Sequence, residues 1–222
     1  MNSHTEENYL KAIYSLSTPE EETVSTNAIA KALRTKAGSV TDMLKKLSEK
    51  KLIHYRRYQG VYLTNAGKKV ALKVIRKHRL WETFLVAELR FRWDQVHEIA
   101  EQLEHIQSEE LITKLDNYLG NPKMDPHGDP IPDHDGKVAP DKSSTLAQLE
   151  KGEHGIMTGV VDHSAAFLQY LDKMHLSIGT VLHIKDINAF DQSLVVMLSS
   201  KEQVTLSREV VHNILVQKKN LK

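Results

Sequence analysis

Apolar side chains recur at helical spacing in TEENYLKAIYSL, where Tyr9, Leu10, Ile13, Tyr14 and Leu16 form one stripe. Thr5 is the expected cap of this first helix, with Glu6 and Glu7 favourable in its first turn. The polar stretch STPEEETVST interrupts it. NAIAKAL then reads as a short helix with Ile29, Ala30 and Leu33 on one face, and RTKAG as a tight turn containing Gly38. SVTDMLKKLSEKKLI reads as a second helix with Val40, Met43, Leu44 and Leu47 turned inward. LIHYRRYQGVYLT alternates around Gln59-Gly60, the pattern of a β-hairpin. Thr64 precedes a long amphipathic helix, NAGKKVALKVIRKHRLWETFLVAEL. Helix, helix-turn-helix, hairpin and helix in that order predict a winged helix-turn-helix.

The middle of the chain predicts helices over residues 65–90, 94–106 and 108–119. Leu72, Ile75, Leu80, Phe84 and Leu85 supply more apolar surface than packing against a small basic domain uses; a dimer interface or a larger monomer core absorbs it. GNPKMDPHGDPIPDHDGKVAP, rich in Pro, Gly and Asp, reads as a long irregular connection. Beyond about residue 145 the short β-like runs GIMTGVVD, TVLHIKDI, SLVVMLS, QVTLS and NILV, with SAAFLQYLDKM as a helix, suggest a small β-barrel. The expected fold is mainly α: an N-terminal winged helix-turn-helix over 1–72, a helical metal-binding and dimerisation domain over 73–142 and a C-terminal small β-barrel over 143–222.

Composition narrows the setting. A hydrophobic share of 40% and a charged share of 27% over 222 residues suit a folded globular chain. No run approaches the roughly 20 apolar residues that span a bilayer, and MNSHTEENYLKAIYSL lacks the pattern of a signal peptide. With no cysteine, disulfides, thiolate metal sites and a cysteine nucleophile are excluded. These features lead to the expectation of a cytoplasmic protein with no membrane partner.

The net charge of +1 conceals a segregation that changes the picture. Residues 23–79 hold 15 Lys and Arg against Asp42 and Glu49, an excess of +13, while residues 80–153 come to −9. A local excess of that size is an electrostatic footprint for a polyanion, with a solvated basic face as the plainer alternative. In a winged helix the second helix of the turn motif enters the major groove by its N-terminal residues, here Lys36, Ser39, Thr41 and Asp42, with Lys45 and Lys46 one turn later. The lysines suit phosphates, Ser39 and Thr41 suit base edges or phosphates, and Asp42 can accept from a cytosine amino group. Arg56, Arg57 and Tyr58 occupy the wing tip. Double-stranded DNA is the expected partner.

A second chemistry lies in VHEIAEQLEH. With Val96 at zero on a helical wheel, Val96, Ile99, Ala100, Leu103 and Ile106 fall between about −80° and +40°, and Glu104, His97, Glu101 and His105 between about 80° and 180°. Four candidate ligands thus border the core. RKHRLWETF adds His78 and Glu82 at i, i+4 on the preceding helix. Imidazoles and carboxylates together suit divalent iron, manganese or zinc. An ordinary charged surface stripe, and for His78 a phosphate-facing role, are the plainer alternatives.

TEENYLKAIY, the winged helix, RKHRLWE, VHEIAEQLEH and GDPIP, from about Thr5 to Pro132, resemble the diphtheria toxin repressor family of metal-dependent transcriptional regulators. The resemblance continues more loosely into the C-terminal part, where it implies an SH3-like domain of the FeoA type. It implies a homodimer that binds a palindromic operator with Mn(II) or Fe(II) as co-repressor, one or two ions per subunit. It further implies one metal site at Asn8, Glu101, Glu104 and His105. A second would lie at His78, Glu82 and His97, completed by Asp162 or His163 of VVDHSAAF. Iron-responsive members have Met at the Asn8 position and often Cys at the Glu101 position. Manganese-responsive members have Asp and Glu there, and another Glu where this chain has Lys11. Control of metal-homeostasis genes is the implied role. Two other readings are a winged-helix regulator answering a non-metal ligand and a helical metalloenzyme. The enzyme would want Glu-x-x-His pairs on two helices; none falls at the ligand positions, so no catalysis is expected.

Overall fold

The computed structural model describes residues 2–18, 23–56, 59–140 and 142–219. The chain divides into two compact units, one of Met1–His78, Glu101–Ile112 and Pro132–Val138, the other of Arg79–Ala100, Thr113–Ile131 and Ala139–Lys222.

The first unit begins with α1 (His4–Leu16), α2 (Thr26–Ala32) and α3 (Ala37–Glu49), followed by the antiparallel strands β1 (Ile53–Arg56) and β2 (Gly60–Leu63). Ser3, and not Thr5, caps α1: its hydroxyl accepts the Glu6 N–H at 3.3 Å, and the Glu6 carboxylate accepts the Ser3 N–H at 3.0 Å, a reciprocal capping box. Ser25 caps α2 in the simpler way. Tyr9, Leu10, Ile13, Ile29, Val40, Leu44, Leu47, Ile53, Val61 and Ala71 close one core. Removing any of the wholly buried leucines would cost about 2–5 kcal/mol.

Two details differ from the sequence expectation. The turn between α2 and α3 places its left-handed residue at Arg34 (φ 48), and Gly38 sits inside the first turn of α3. The wing gains a third strand position because Val24, in the stretch expected to be only a break, exchanges both backbone hydrogen bonds with Val61 (2.8 and 2.9 Å). Gly60 (φ +95) makes that close approach possible, since a Cβ there would stand 3.1 Å from the Val24 carbonyl oxygen. Arg57 and Tyr58 lie outside the described residues.

The long helix is α4 (Asn65–Ala87), followed by α5 (His97–Leu103) and α6 (Glu109–Tyr118). α5 starts later and stops earlier than expected, so Glu104 and His105 leave the helix in a turn closed by the Ile106 N–H on the Leu103 carbonyl (3.1 Å). The chain there bends the two side chains into the interior instead of leaving them on a stripe.

In the second unit a six-stranded antiparallel sheet has the order β3-β8-β4-β5-β6-β7. Its strands are β3 (Ser144–Thr145), β4 (His154–Val160), β5 (Val181–Ile187), β6 (Leu194–Leu198), β7 (Gln203–Leu206) and β8 (Ile214–Lys218). Helices α7 (Ala165–Lys173) and α8 (Arg208–His212) accompany it. All five β-like runs of the sequence are strands, and period-two burial along β4 and β6 builds one core with Leu168, Leu171 and Val211. The barrel expected from them does not close: β3 and β7 are edges, with no pairing between them among the described residues. Nor is the protein mainly α, because this sheet forms the body of its own unit.

The Pro- and Gly-rich connection is ordered where it runs through residues 123–131. The Asp125 carboxylate accepts the N–H groups of His127 (2.8 Å) and Asp129 (3.0 Å), and Ile131 N–H bonds the Lys123 carbonyl at 2.8 Å. The turn lies against β4, with Val160 N–H on the His127 carbonyl at 3.0 Å. Gly128 (φ +89) and Gly159 face each other at this contact.

Candidate metal centre

The DNA-facing side chains expected on α3 are distributed as a reading helix requires. Val40, Leu44 and Leu47 are buried, Lys36, Ser39, Asp42, Lys45 and Lys46 are exposed, and Thr41 is half-buried with its hydroxyl on the Ala37 carbonyl (3.0 Å). Lys36 is the N-cap residue and makes no side-chain cap. Asp42 pairs with Lys45 at 3.3 Å. Lys46 and Lys50 both reach Glu6 of α1, at 3.1 and 2.8 Å. Burial opposes charge on Glu6, but Lys50, the Ser3 N–H and Lys46 outweigh it and hold its carboxyl at about 2. Arg56 is exposed at the end of β1.

Candidate metal ligands of the first unit gather where α1 meets the turn after α5. Glu104 is buried, and its carboxylate lies 2.6 Å from His78 Nδ1 and 2.6 Å from Lys11 Nζ. Lys11 Nζ also stands 3.2 Å from His78 Nδ1 and 3.7 Å from Glu101. Burial would raise the Glu104 pKa, but His78 and Lys11 together lower it. His105 Nδ1 lies 2.7 Å from the carboxylate of Glu7, which is buried, and its ring stacks on His4 at 4.4 Å. Asn8, the residue implied as a ligand, is exposed. The structure therefore brings together His78, Glu101, Glu104 and His105 (Nε2 3.8 Å from Glu104), adds Glu7 and Lys11, and leaves Asn8 exposed.

In the second unit Glu82 of α4 is buried, with His97 Nδ1 3.3 Å from its Oε1. Asp125 and His127 of the ordered turn join it. Glu82, Asp125 and His127 are all buried, and one ligand atom from each lies within 4.8 Å of the others. His127 Nε2 lies 2.8 Å from the Trp93 carbonyl, a hydrogen bond that puts the ring proton on Nε2 and leaves Nδ1 as the ligand atom. Nδ1 faces Glu82 Oε2 at 3.6 Å, beyond hydrogen-bond reach. Asp125 Oδ2 and His127 Nδ1 are buried and without hydrogen-bond partners. Leaving two such atoms unsatisfied costs on the order of 1–3 kcal/mol each. Two carboxylates and an imidazole, with Asp125 Oδ2 and His127 Nδ1 lacking hydrogen bonds, fit a hard or borderline divalent cation.

The electrostatics agree. Burial works against charge on His127, but Glu82, Asp125 and the Trp93 carbonyl favour it and raise its pKa to about 9. Burial, with the carboxylates of Glu82 and Asp129, pushes Asp125 up to about 7. Arg79 partly offsets this, its Nε 3.6 Å from Asp125 and its Nη2 2.7 Å from Asp129. His163 stacks on His127 with ring centroids 4.8 Å apart. Burial and the charge on His127 lower its pKa, against the pull of Asp129 and Glu82. Asp162 instead accepts the Ser164 N–H at 2.8 Å before α7. Of the two alternatives in VVDHSAAF, His163 is the one beside the cluster. Sequence reasoning missed Asp125 and His127 because they lie in a stretch read as irregular; the signal available was the D-x-H-G-D spacing in DPHGDP.

Three protein-family descriptions match the chain: "Iron dependent repressor, N-terminal DNA binding domain" over residues 1–61, "Iron dependent repressor, metal binding and dimerisation domain" over 64–133, and "FeoA domain" over 144–218. The iron-dependent repressor IdeR of Mycobacterium leprae is 29% identical, the match covering 96% of this chain and 97% of that one. Among solved structures, a manganese-dependent transcriptional repressor in complex with manganese is 33% identical, with a TM-score of 0.88, covering 96% of this chain and 99% of its own. The manganese regulator SloR is likewise 33% identical, with a TM-score of 0.78 and coverage of 96% and 98%.

Proposed function

Because the chain belongs to the iron-dependent repressor family, the metal-dependent transcriptional repressors that include the diphtheria toxin repressor, we propose that it represses transcription when a single divalent ion, Mn(II) or Fe(II), binds at Glu82, Asp125 and His127. The observation that carries this reading is the pair of buried ligand atoms without hydrogen bonds, Asp125 Oδ2 (Arg79 Nε stands 3.6 Å away) and His127 Nδ1, set beside Glu82. The ion supplies a divalent charge that satisfies both. Trp93 fixes the His127 tautomer, Arg79 orients Asp125 and Asp129, and His97 and His163 border the cluster.

Residues 1–72 read DNA, residues 73–142 bind the ion and join two copies, and residues 143–222 contribute His163. The homodimer presents two α3 helices to a palindromic operator, with Lys36, Ser39 and Asp42 foremost. The ion favours the DNA-competent arrangement only to the extent that it binds that arrangement more tightly. No helix of the described residues is long and apolar enough to cross a membrane. Operator fragments are titrated by fluorescence anisotropy in chelator and in Mn(II), with the native chain and with Asp125→Ala. Metal tightens binding of the native chain and not of the variant; equal affinity in all four conditions overturns the reading.

A further inference from the structure

We infer that the ammonium of Lys11 is a built-in cation occupying the place of a metal ion between α1 and the turn after α5. The cluster of His78, Glu101 and Glu104 is then a permanent clasp and not a sensor. This rests on the proposed function only in assigning the sensed ion to the other cluster.

Three ligand-type groups converge on one point, and a cation is already there. Lys11 Nζ lies 2.6 Å from Glu104, 3.2 Å from His78 Nδ1 and 3.7 Å from Glu101. The lysine side chain is 18% exposed and Glu104 1%, so the pair is shielded from water. Such a charge-assisted contact is short and strong, and its loss would strand a buried carboxylate. The Lys11–Glu104 distance suits an N–H···O contact, and His78 Nδ1 either donates to Glu104 or accepts from Lys11. A divalent ion placed among the same three groups would lie against a like charge, so ion and ammonium exclude one another. These donors therefore do not fit a metal while Lys11 is in place.

The neighbouring groups behave accordingly. Glu7 pairs with His105 Nδ1 at 2.7 Å and accepts from Gln107 Nε2 at 3.2 Å, and Asn8 is exposed. Each buried carboxylate at this junction is already matched by a donor from the chain. At the Glu82 cluster two ligand atoms, Asp125 Oδ2 and His127 Nδ1, make no hydrogen bond, Asp125 Oδ2 having only Arg79 Nε at 3.6 Å. One junction is thus tied without an ion, and the other is left for one.

Metal content of the full chain, measured by equilibrium dialysis against Mn(II) and elemental analysis, separates the possibilities. The native chain takes up about one ion per subunit, and the Asp125→Ala/His127→Ala variant, checked for folding by circular dichroism, takes up none. Lys11→Glu restores a carboxylate and gains a second ion, which Glu104→Gln in the same background removes. A second ion in the native chain, retained by the Asp125→Ala/His127→Ala variant and lost with Glu104→Ala, overturns the inference and leaves the proposed function standing. A native chain that takes up no ion overturns the proposed function instead. In that event a gain by Lys11→Glu supports the clasp, and no gain overturns it. A measurement on the unmutated lysine is independent of folding failures. In ¹⁵N-lysine-labelled chelated protein, one ammonium signal exchanges slowly with water, and a spectrum in which all exchange fast overturns the inference.

Discussion

Replacing Gly128 by alanine tests whether the 125–129 turn is located by its backbone contact with β4. At φ +89, a Cβ on residue 128 would stand 2.1 Å from the Thr158 carbonyl oxygen and 2.4 Å from Gly159 Cα. The left-handed conformation alone costs an alanine roughly 1–2 kcal/mol. Real Cβ contacts essentially never fall under 3.0 Å, so the turn must retreat by about 1 Å. That displacement breaks the 3.0 Å bond between the Val160 N–H and the His127 carbonyl, adding about 1–3 kcal/mol. Gly120→Ala is the matched control: φ is +75, but nothing lies within 4 Å, so only the conformational cost applies. Urea unfolding of the chelated proteins should place Gly128→Ala about 2 kcal/mol below Gly120→Ala. Because the same turn carries Asp125 and His127, Mn(II) affinity should fall by ~100-fold in Gly128→Ala and stay unchanged in the control. Equal stabilities within about 0.5 kcal/mol, or native Mn(II) affinity in Gly128→Ala, would refute the reasoning.

Two further outcomes concern pH. Glu6 has its folded pKa lowered to about 2 from 4.5, so its contribution is complete above about 4.5 and is lost as pH falls toward about 2; after discounting for the half-exposed Lys46 and Lys50 it amounts to about 1–2 kcal/mol. Urea midpoints between pH 6 and pH 3 should therefore fall less steeply for Glu6→Ala than for the native chain, and parallel slopes would count against this. At the Glu82 cluster a bound ion must displace the proton that His127 holds up to about 9 and, in acid, the one that Asp125 holds up to about 7. Mn(II) affinity should rise about tenfold per pH unit between pH 7 and pH 8.5 and more steeply below pH 7. Calorimetry in two buffers of different ionisation enthalpy should detect the released proton, and its absence would show that His127 is not a ligand.

The winged helix was legible because its core positions obey simple periodicities: Val40, Leu44 and Leu47 on α3, and the alternation around Gln59-Gly60. The five strands beyond residue 145 were legible for the same reason. Edge pairing is set by long-range backbone contacts and leaves little trace in side-chain pattern, so an open sheet and a closed barrel read alike. Of the metal chemistry, Glu82, His97 and Glu104 stood out because they share a helical pattern with apolar neighbours. Asp125 and His127 did not, since a turn has no period; their burial depends on Asp125 accepting two backbone N–H groups and on two facing glycines. Lys11 was visible as a departure from the family, but charge pattern alone does not say that a lysine will point into a group of ligands.

Glu6, the partner of Ser3 in the capping box, has a consequence for salt. Its carboxylate is shared between the start of α1 and the ammonium groups of Lys46 and Lys50 at the far end of α3. A phosphate near that end competes with Glu6 for the same cations, and a lysine already neutralised from within releases no fresh counterion when it meets DNA. The +13 of residues 23–79 therefore overstates the charge available to the duplex. A plot of log affinity against log salt should be shallower than a count of the basic residues suggests. Removing the Glu6 carboxylate would steepen it while loosening the hold of α1 on the reading helix.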